Sequence, residues 1–124
     1  MDDMLQENKS GECRAAGLGR LLSEHRGTDV LVMDMRSLNF WTDFFVIATV
    51  SSGAHLSGLE RHVKEFAGEQ DIPILRWSRR PETEDEWRII DMGDIVIHLM
   101  SAKARAFYEL ERLWGAAPAV PLGL

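Results

Sequence analysis

The sequence predicts a single-domain α/β fold, a mixed sheet of about five strands with helices packed on it. Three observations carry this. Short apolar runs rich in β-branched and aromatic residues recur at residues 30–35, 44–50 and 95–100. Stripes of helical period lie between and after them. At 124 residues the chain fills one modest core rather than two.

Residues 1–13 are polar and aperiodic and read as a poorly ordered N-terminal tail. Over residues 15–25, Leu18, Leu21 and Leu22 fall at helical spacing, so a short amphipathic helix is expected, ended by Gly27. Residues 30–35 form a buried strand, and residues 44–50 a second, richer in aromatic and β-branched types. Ser51 or Ser52 is placed to cap the next helix. Leu56, Leu59, Val63, Phe66 and Ala67 make its one apolar face as far as about Glu69, where Asp71, Ile72 and Pro73 break it. Residues 74–77 read as a short strand and residues 78–86, almost all charged or turn-forming, as an exposed loop. Residues 87–91 and 95–100 are two strands joined by a tight turn at Met92 and Gly93. The last helix has Ser101 as its cap, Phe107, Leu110, Leu113 and Trp114 as its stripe, and Gly115 and Pro118 at its end. The folded domain is thus residues 14–115, with residues 116–124 a loose tail. The helix between the second and third strands is long enough for a right-handed crossover, which makes those two parallel. The tight turn at Gly93 makes the last two antiparallel.

Hydrophobic residues make up 45% and charged residues 27% of the chain, ordinary for a globular protein. No apolar run approaches the roughly 20 residues a membrane span needs. The start, Met1-Asp2-Asp3, lacks the apolar stretch of a secretory signal. A single cysteine, Cys13, excludes an internal disulfide and suits a reducing, cytoplasmic setting. The formal net charge of -6 opposes extensive direct contact with RNA and suits a basic protein partner.

Asp43, Asp91, Asp94 and His98 are the residues to weigh as a metal or acid–base cluster. The simpler reading gives the aspartates to the turn around Gly93 and His98 to a half-buried, satisfied strand position. No nucleophile context surrounds Ser51, Ser52 or Cys13. His55 and His62 stand about two helical turns apart, too far for one metal without help. Arg76, Arg79 and Arg80 with Trp77 form a small basic–aromatic patch, but Glu82, Glu84, Asp85 and Glu86 cancel its charge. On the last helix Arg105, Tyr108, Glu109 and Arg112 recur at spacings of three and four, with Arg105 and Glu109 placed to pair. That side is either a solvated face or a binding face, since Tyr and Arg are enriched at interface hot spots.

Several segments together resemble a known family. Residues 87–98, WRIIDMGDIVIH, are similar to the W-x-L-L-D-Y-G-D-V-V-V-H segment of the ribosomal silencing factor (Iojap, RsfS) family, and residues 105–114, RAFYELERLW, to its R-x-Y-Y-x-L-E-x-L-W signature. Residues 42–48, TDFFVIA, resemble its T-D-Y-F-V-I-A strand, and residues 30–38 the strand before it. Val50 and Met92 depart from the family's usual glycine and aromatic. The resemblance implies a nucleotidyltransferase-like fold without that chemistry: not an enzyme, with no catalytic residue, metal or cofactor. It implies a translation repressor that binds the large ribosomal subunit through ribosomal protein fourteen and blocks the small subunit sterically. The charge and the short apolar runs add little direct RNA contact and no membrane, and the free protein is expected as a monomer or homodimer, which the sequence does not decide between. The partner-binding residues expected on this basis are Trp87, Asp91, Met92, Asp94, His98, Arg105 and Tyr108. Two rivals stand beside it, a large-subunit assembly factor and a metal-dependent nucleotidyl or phosphoryl transferase using Asp43, Asp91 and Asp94.

Overall fold

Seven consecutive buried residues, Phe44–Val50, form an interior strand of the sheet. In this computed structural model residues 2–38, 41–78 and 86–123 are described. The elements in chain order are α1 (Asp2–Glu24), β1 (Thr28–Asp34), β2 (Phe44–Val50), α2 (Gly53–Glu69), β3 (Arg76–Ser78), β4 (Trp87–Asp91), β5 (Ile95–Ser101), α3 (Ala102–Tyr108) and α4 (Leu110–Leu113). The five strands lie in the order β1-β2-β5-β4-β3. β2 and β5 are parallel, and every other neighbouring pair is antiparallel.

The crossover through α2 therefore does not make the second and third strands neighbours. β3 runs in the direction of β2, but β5 and β4 lie between them. A central strand covered on both faces must be apolar at nearly every position. Residues 95–100 meet that demand and are all buried, whereas β3, with Arg76 and Ser78, is short and polar and takes the edge.

Two apolar layers flank the sheet. On one face Ala15, Leu18 and Leu22 of α1 and Leu56, Leu59, Val63 and Ala67 of α2 meet Val32, Phe44, Val46, Ile90, Ile95, Ile97 and Leu99. On the other, Ala104 and Leu110 meet Met33, Met35, Phe45, Ile47, Val96 and Met100. The capping serines are Ser52, whose Oγ accepts from the His55 amide at 3.0 Å, and Ser101, which accepts from the Ala104 amide at 3.0 Å. α1 and α2 both end with a left-handed residue that is not glycine, Arg26 (φ 71°) and Asp71 (φ 54°). In each case the next amide reaches back five residues, Gly27 to the Leu22 carbonyl and Ile72 to the Ala67 carbonyl, both at 2.8 Å, which satisfies carbonyls the helix leaves open. Gly27 is needed for proximity, since a Cβ there would lie 2.7 Å from the Leu22 oxygen.

Three expectations change. The first helix begins at Asp2 rather than near Ala15, so the stretch read as a polar tail continues the helical backbone, and Cys13 is exposed on it. A polar, aperiodic stretch gives no helical stripe of its own and takes its conformation from the helix it extends. The C-terminal stretch is tied down instead of loose. The Asp34 amide donates to the Pro118 carbonyl and the Val120 amide to the Val32 carbonyl, each at 2.8 Å. Arg20 Nη1 donates to the Leu122 carbonyl at 2.6 Å, and Val120 is buried. The segment thus covers the outer edge of β1, whose unpaired backbone groups otherwise need partners. Finally, the last helix is broken at Glu109 (φ 47°, ψ 52°) into α3 and α4. The turn at Gly93 (φ 91°) and the antiparallel β4–β5 pair match expectation.

Glu60 of α2 and Arg88 of β4 form an ion pair with only 7% and 4% of each residue exposed. Removing one member of a buried ion pair takes away charge compensation on which the other's burial depends. Glu60→Ala is expected to destabilise the fold by about 3–5 kcal/mol in urea denaturation, and Glu60→Leu with Arg88→Met together by clearly less. Equal losses in the two variants would refute a buried-charge role.

Candidate docking face

Alternation along β4 puts Trp87, Ile89 and Asp91 on the α3 side, where all three are half-buried, while Arg88 and Ile90 point into the α1–α2 layer. On β5 the same side carries Val96, His98 and Met100. α3 starts at the far end of β5 and returns over the sheet, which brings Tyr108 onto Trp87 with ring centroids 4.5 Å apart. Phe107 stacks edge-on against Tyr108 at 5.0 Å and is 79% exposed. Beneath Trp87 the chain of rings continues inward through His98 to Phe45 (4.9 Å) and from Phe45 to Trp114 (4.9 Å). An open cleft of about 440 Å³ beside this aromatic row is lined by Glu86, Lys103, Ala104, Phe107 and Tyr108.

His98 holds the row in place. Its Nδ1 accepts a hydrogen bond from the Trp87 indole N–H at 3.2 Å, so the neutral ring carries its proton on Nε2. That atom is buried without a hydrogen-bond partner among the described residues. With 6% of the residue exposed, charging the ring means desolvating it, and burial pushes its pKa down from 6.5 to about 4. His98 is thus a neutral brace under Trp87.

The remaining expected residues separate. Met92 is 5% exposed and belongs to the α1–α2 layer, because it continues the alternation of β4 on the side of Arg88 and Ile90, opposite Trp87. Arg105 also turns away from Tyr108. Its Nη1 donates to Thr49 Oγ1 at 3.0 Å and its Nε to Glu111 Oε1 at 3.1 Å, beside a separate hollow lined by Asp29, Glu109 and Glu111. The pairing with Glu109 is absent, and Glu109 instead accepts from Arg112 Nη1 at 3.3 Å. Asp91 Oδ1 accepts from the Gly93 amide at 2.8 Å, as turn chemistry requires. Asp94 stands 3.8 Å from Arg14 of α1, and its carbonyl accepts from the amides of Asp43 and Phe44. Among the described residues no group of three His, Cys, Asp or Glu could hold a metal. His25 stacks on His62 at 3.6 Å and its carbonyl lies 2.9 Å from His55 Nε2. The side chains of the Arg76–Trp77 patch and residues 79–85 lie outside the described residues.

Phe107 is the surface residue that pattern reading missed. It sits at stripe spacing with Leu110 and Trp114, and nothing in the residue types marks the break at Glu109 that turns it outward.

A family model described as ribosomal silencing factor during starvation matches residues 8–123. The chain belongs to this family. The silencing factor RsfS of Treponema pallidum is 41% identical over 100 residues, 81% of this chain and 88% of that protein. A mouse protein named mitochondrial assembly of ribosomal large subunit protein 1 is 32% identical over 98 residues, 76% of this chain, which spans 42% of the mouse protein. A solved protein from Chromobacterium violaceum superposes with a TM-score of 0.72 at 26% identity, covering 84% of this chain and 83% of that one. The ring row and the Asp91–Gly93 turn fall within the segments that resemble the family's signatures.

The depressed His98 pKa has a consequence for stability. Between pH 6.5 and about 4 the unfolded chain holds a proton on His98 that the folded chain refuses. Stability is therefore full above pH 6.5 and falls as pH drops through that window, by as much as about 3 kcal/mol. His98→Gln is expected to flatten this part of the pH–stability curve measured by chemical denaturation. An unchanged slope would mean His98 is not held neutral.

Proposed function

We propose that this chain docks on the large ribosomal subunit through ribosomal protein fourteen and, by occupying the joining face, keeps the small subunit from associating. The observation that carries this reading is the exposed aromatic row Phe107–Tyr108–Trp87 on the sheet face that the family's signature segments build. A half-covered aromatic cluster on a rigid sheet is the kind of anchor that concentrates binding energy. Asp91 at the other end of β4, Asp94 in the turn beyond it, and the net charge of -6 suit a basic partner and speed encounter with it. Tyr108 and Trp87 are the anchors, Phe107 joins them, and His98 acts from beneath. Met92 and Arg105 are not contact residues. Occlusion needs no catalytic step. Action in the cytoplasm, a monomer or homodimer when free, and little direct RNA contact complete the proposal.

A second reading, action during maturation of the large subunit, is favoured by the resemblance to the mouse assembly protein. Co-sedimentation with incomplete large subunits rather than finished ones would select it.

The test is a sucrose-gradient reassociation assay with purified subunits. The chain is expected to co-sediment with the large subunit and to lower the fraction of joined ribosomes. Phe107→Ser, at a residue 79% exposed, should leave folding intact. Tyr108→Ala should cost about 2 kcal/mol of binding if it is a hot spot. Full reassociation without co-sedimentation would dispose of the reading, and wild-type affinity in both folded variants would dispose of the residue assignment.

A further inference from the structure

We propose that Arg105 and Glu111 are positioning residues for the docking face: their ion pair holds the left-handed break at Glu109, and that break turns Phe107 outward and seats Tyr108 on Trp87. The inference rests on the reading of the aromatic row as the docking surface.

The local sequence favours an unbroken helix. Phe107, Leu110 and Trp114 are spaced at three and four residues, the stripe of one helical face, and no glycine or proline interrupts them. The backbone nevertheless takes φ 47° and ψ 52° at Glu109, a conformation that residues with a Cβ rarely adopt. Something outside the local backbone has to favour it. The Arg105–Glu111 pair has the required property. Residues six apart on a continuous helix point about 120° apart around its axis and stand about 9 Å apart along it, which does not bring their side chains together. Here Arg105 Nε and Glu111 Oε1 are 3.1 Å apart. The contact exists only in the broken form, so it biases the equilibrium toward that form.

The pair is also anchored. Arg105 Nη1 donates to Thr49 Oγ1 on β2 at 3.0 Å, and the Arg105 side chain is 11% exposed, so the contact is less screened than a surface pair. The consequence is read on the other side of α3. Phe107, which an unbroken helix would align with buried Leu110, is left in solvent, and the Tyr108 ring rests 4.5 Å from that of Trp87.

The experiment compares the full chain with Glu111→Ala and with the double variant Glu109→Gly/Glu111→Ala. It reads the Trp87–Tyr108 ring contact by nuclear Overhauser effects in the free protein and the affinity for purified large subunits. Glu111→Ala is expected to lose the ring contact and to bind about tenfold more weakly. Glycine at 109 adopts positive φ without steric penalty, so the double variant is expected to recover both. Should Glu111→Ala not fold, Glu111→Gln, alone and with Glu109→Gly, carries the same comparison. A pair that only adds stability would lower the unfolding temperature and leave ring contact and affinity at wild-type values, and that result overturns the proposal. So does a loss that glycine does not repair. If the wild-type chain itself does not bind large subunits, the docking reading falls, while the ring contact in the free variants still decides whether the pair positions these residues.

Discussion

The parallel pairing of β2 with β5 constrains the rest of the molecule. Both strands are covered on both faces, so a polar side chain in either has to find its partner inside the protein. Apart from Ser101, which caps α3, the polar residues in these strands are Thr49 and His98. Both point to the α3 side, and each is answered from there, Thr49 by the guanidinium of Arg105 and His98 by the indole of Trp87. Satisfying the centre of the sheet therefore fixes where Arg105 and Trp87 stand. The position of Tyr108 follows, because it lies three residues beyond Arg105 and against Trp87.

The two faces of the sheet are covered unequally. α1 and α2 are 23 and 17 residues long and close one face with the apolar stripes of residues 15–22 and 56–67. α3 and α4 are 7 and 4 residues long, too short to cover five strands. What they leave half-covered is the outward side of β4, Trp87, Ile89 and Asp91. The aromatic row is thus a product of the architecture. The segment at 118–122 acts in the opposite sense at β1, closing an edge that could otherwise recruit a strand.

Much of this was legible because period carries burial. The apolar runs at 44–50 and 95–100 announced central strands, the stripe from Leu56 to Ala67 announced α2, and the aspartate–glycine pair announced the turn. Three things were not legible, for different physical reasons. Strand order depends on competition for the doubly covered slots, which no single segment encodes, and β5 displaced β3 from the side of β2. The C-terminal stretch is held by backbone hydrogen bonds to β1, which leave no period in the residue types, so residues 118–122 read as a loose tail. The helix break at Glu109 runs against local propensity, and the contacts that favour it come from Thr49, far away in sequence, and from a partner six residues on.

That last disagreement is informative. A foldable sequence agrees with its structure at most levels, and the places where a local rule is overridden tend to be strained or functional. Here the override has a visible cost at one ring. It leaves Phe107 in water, where an unbroken helix would have set it beside Leu110. A left-handed residue with a Cβ costs about 1–2 kcal/mol, and an exposed aromatic gives up the roughly 1.5–3 kcal/mol that burying such a side chain provides. The contacts of Arg105 with Glu111 and Thr49 work against these costs. A structure that uses a partly buried ion pair to keep an aromatic ring exposed, next to a tryptophan braced from below by a neutral histidine, has the arrangement of a surface built to be covered by something else.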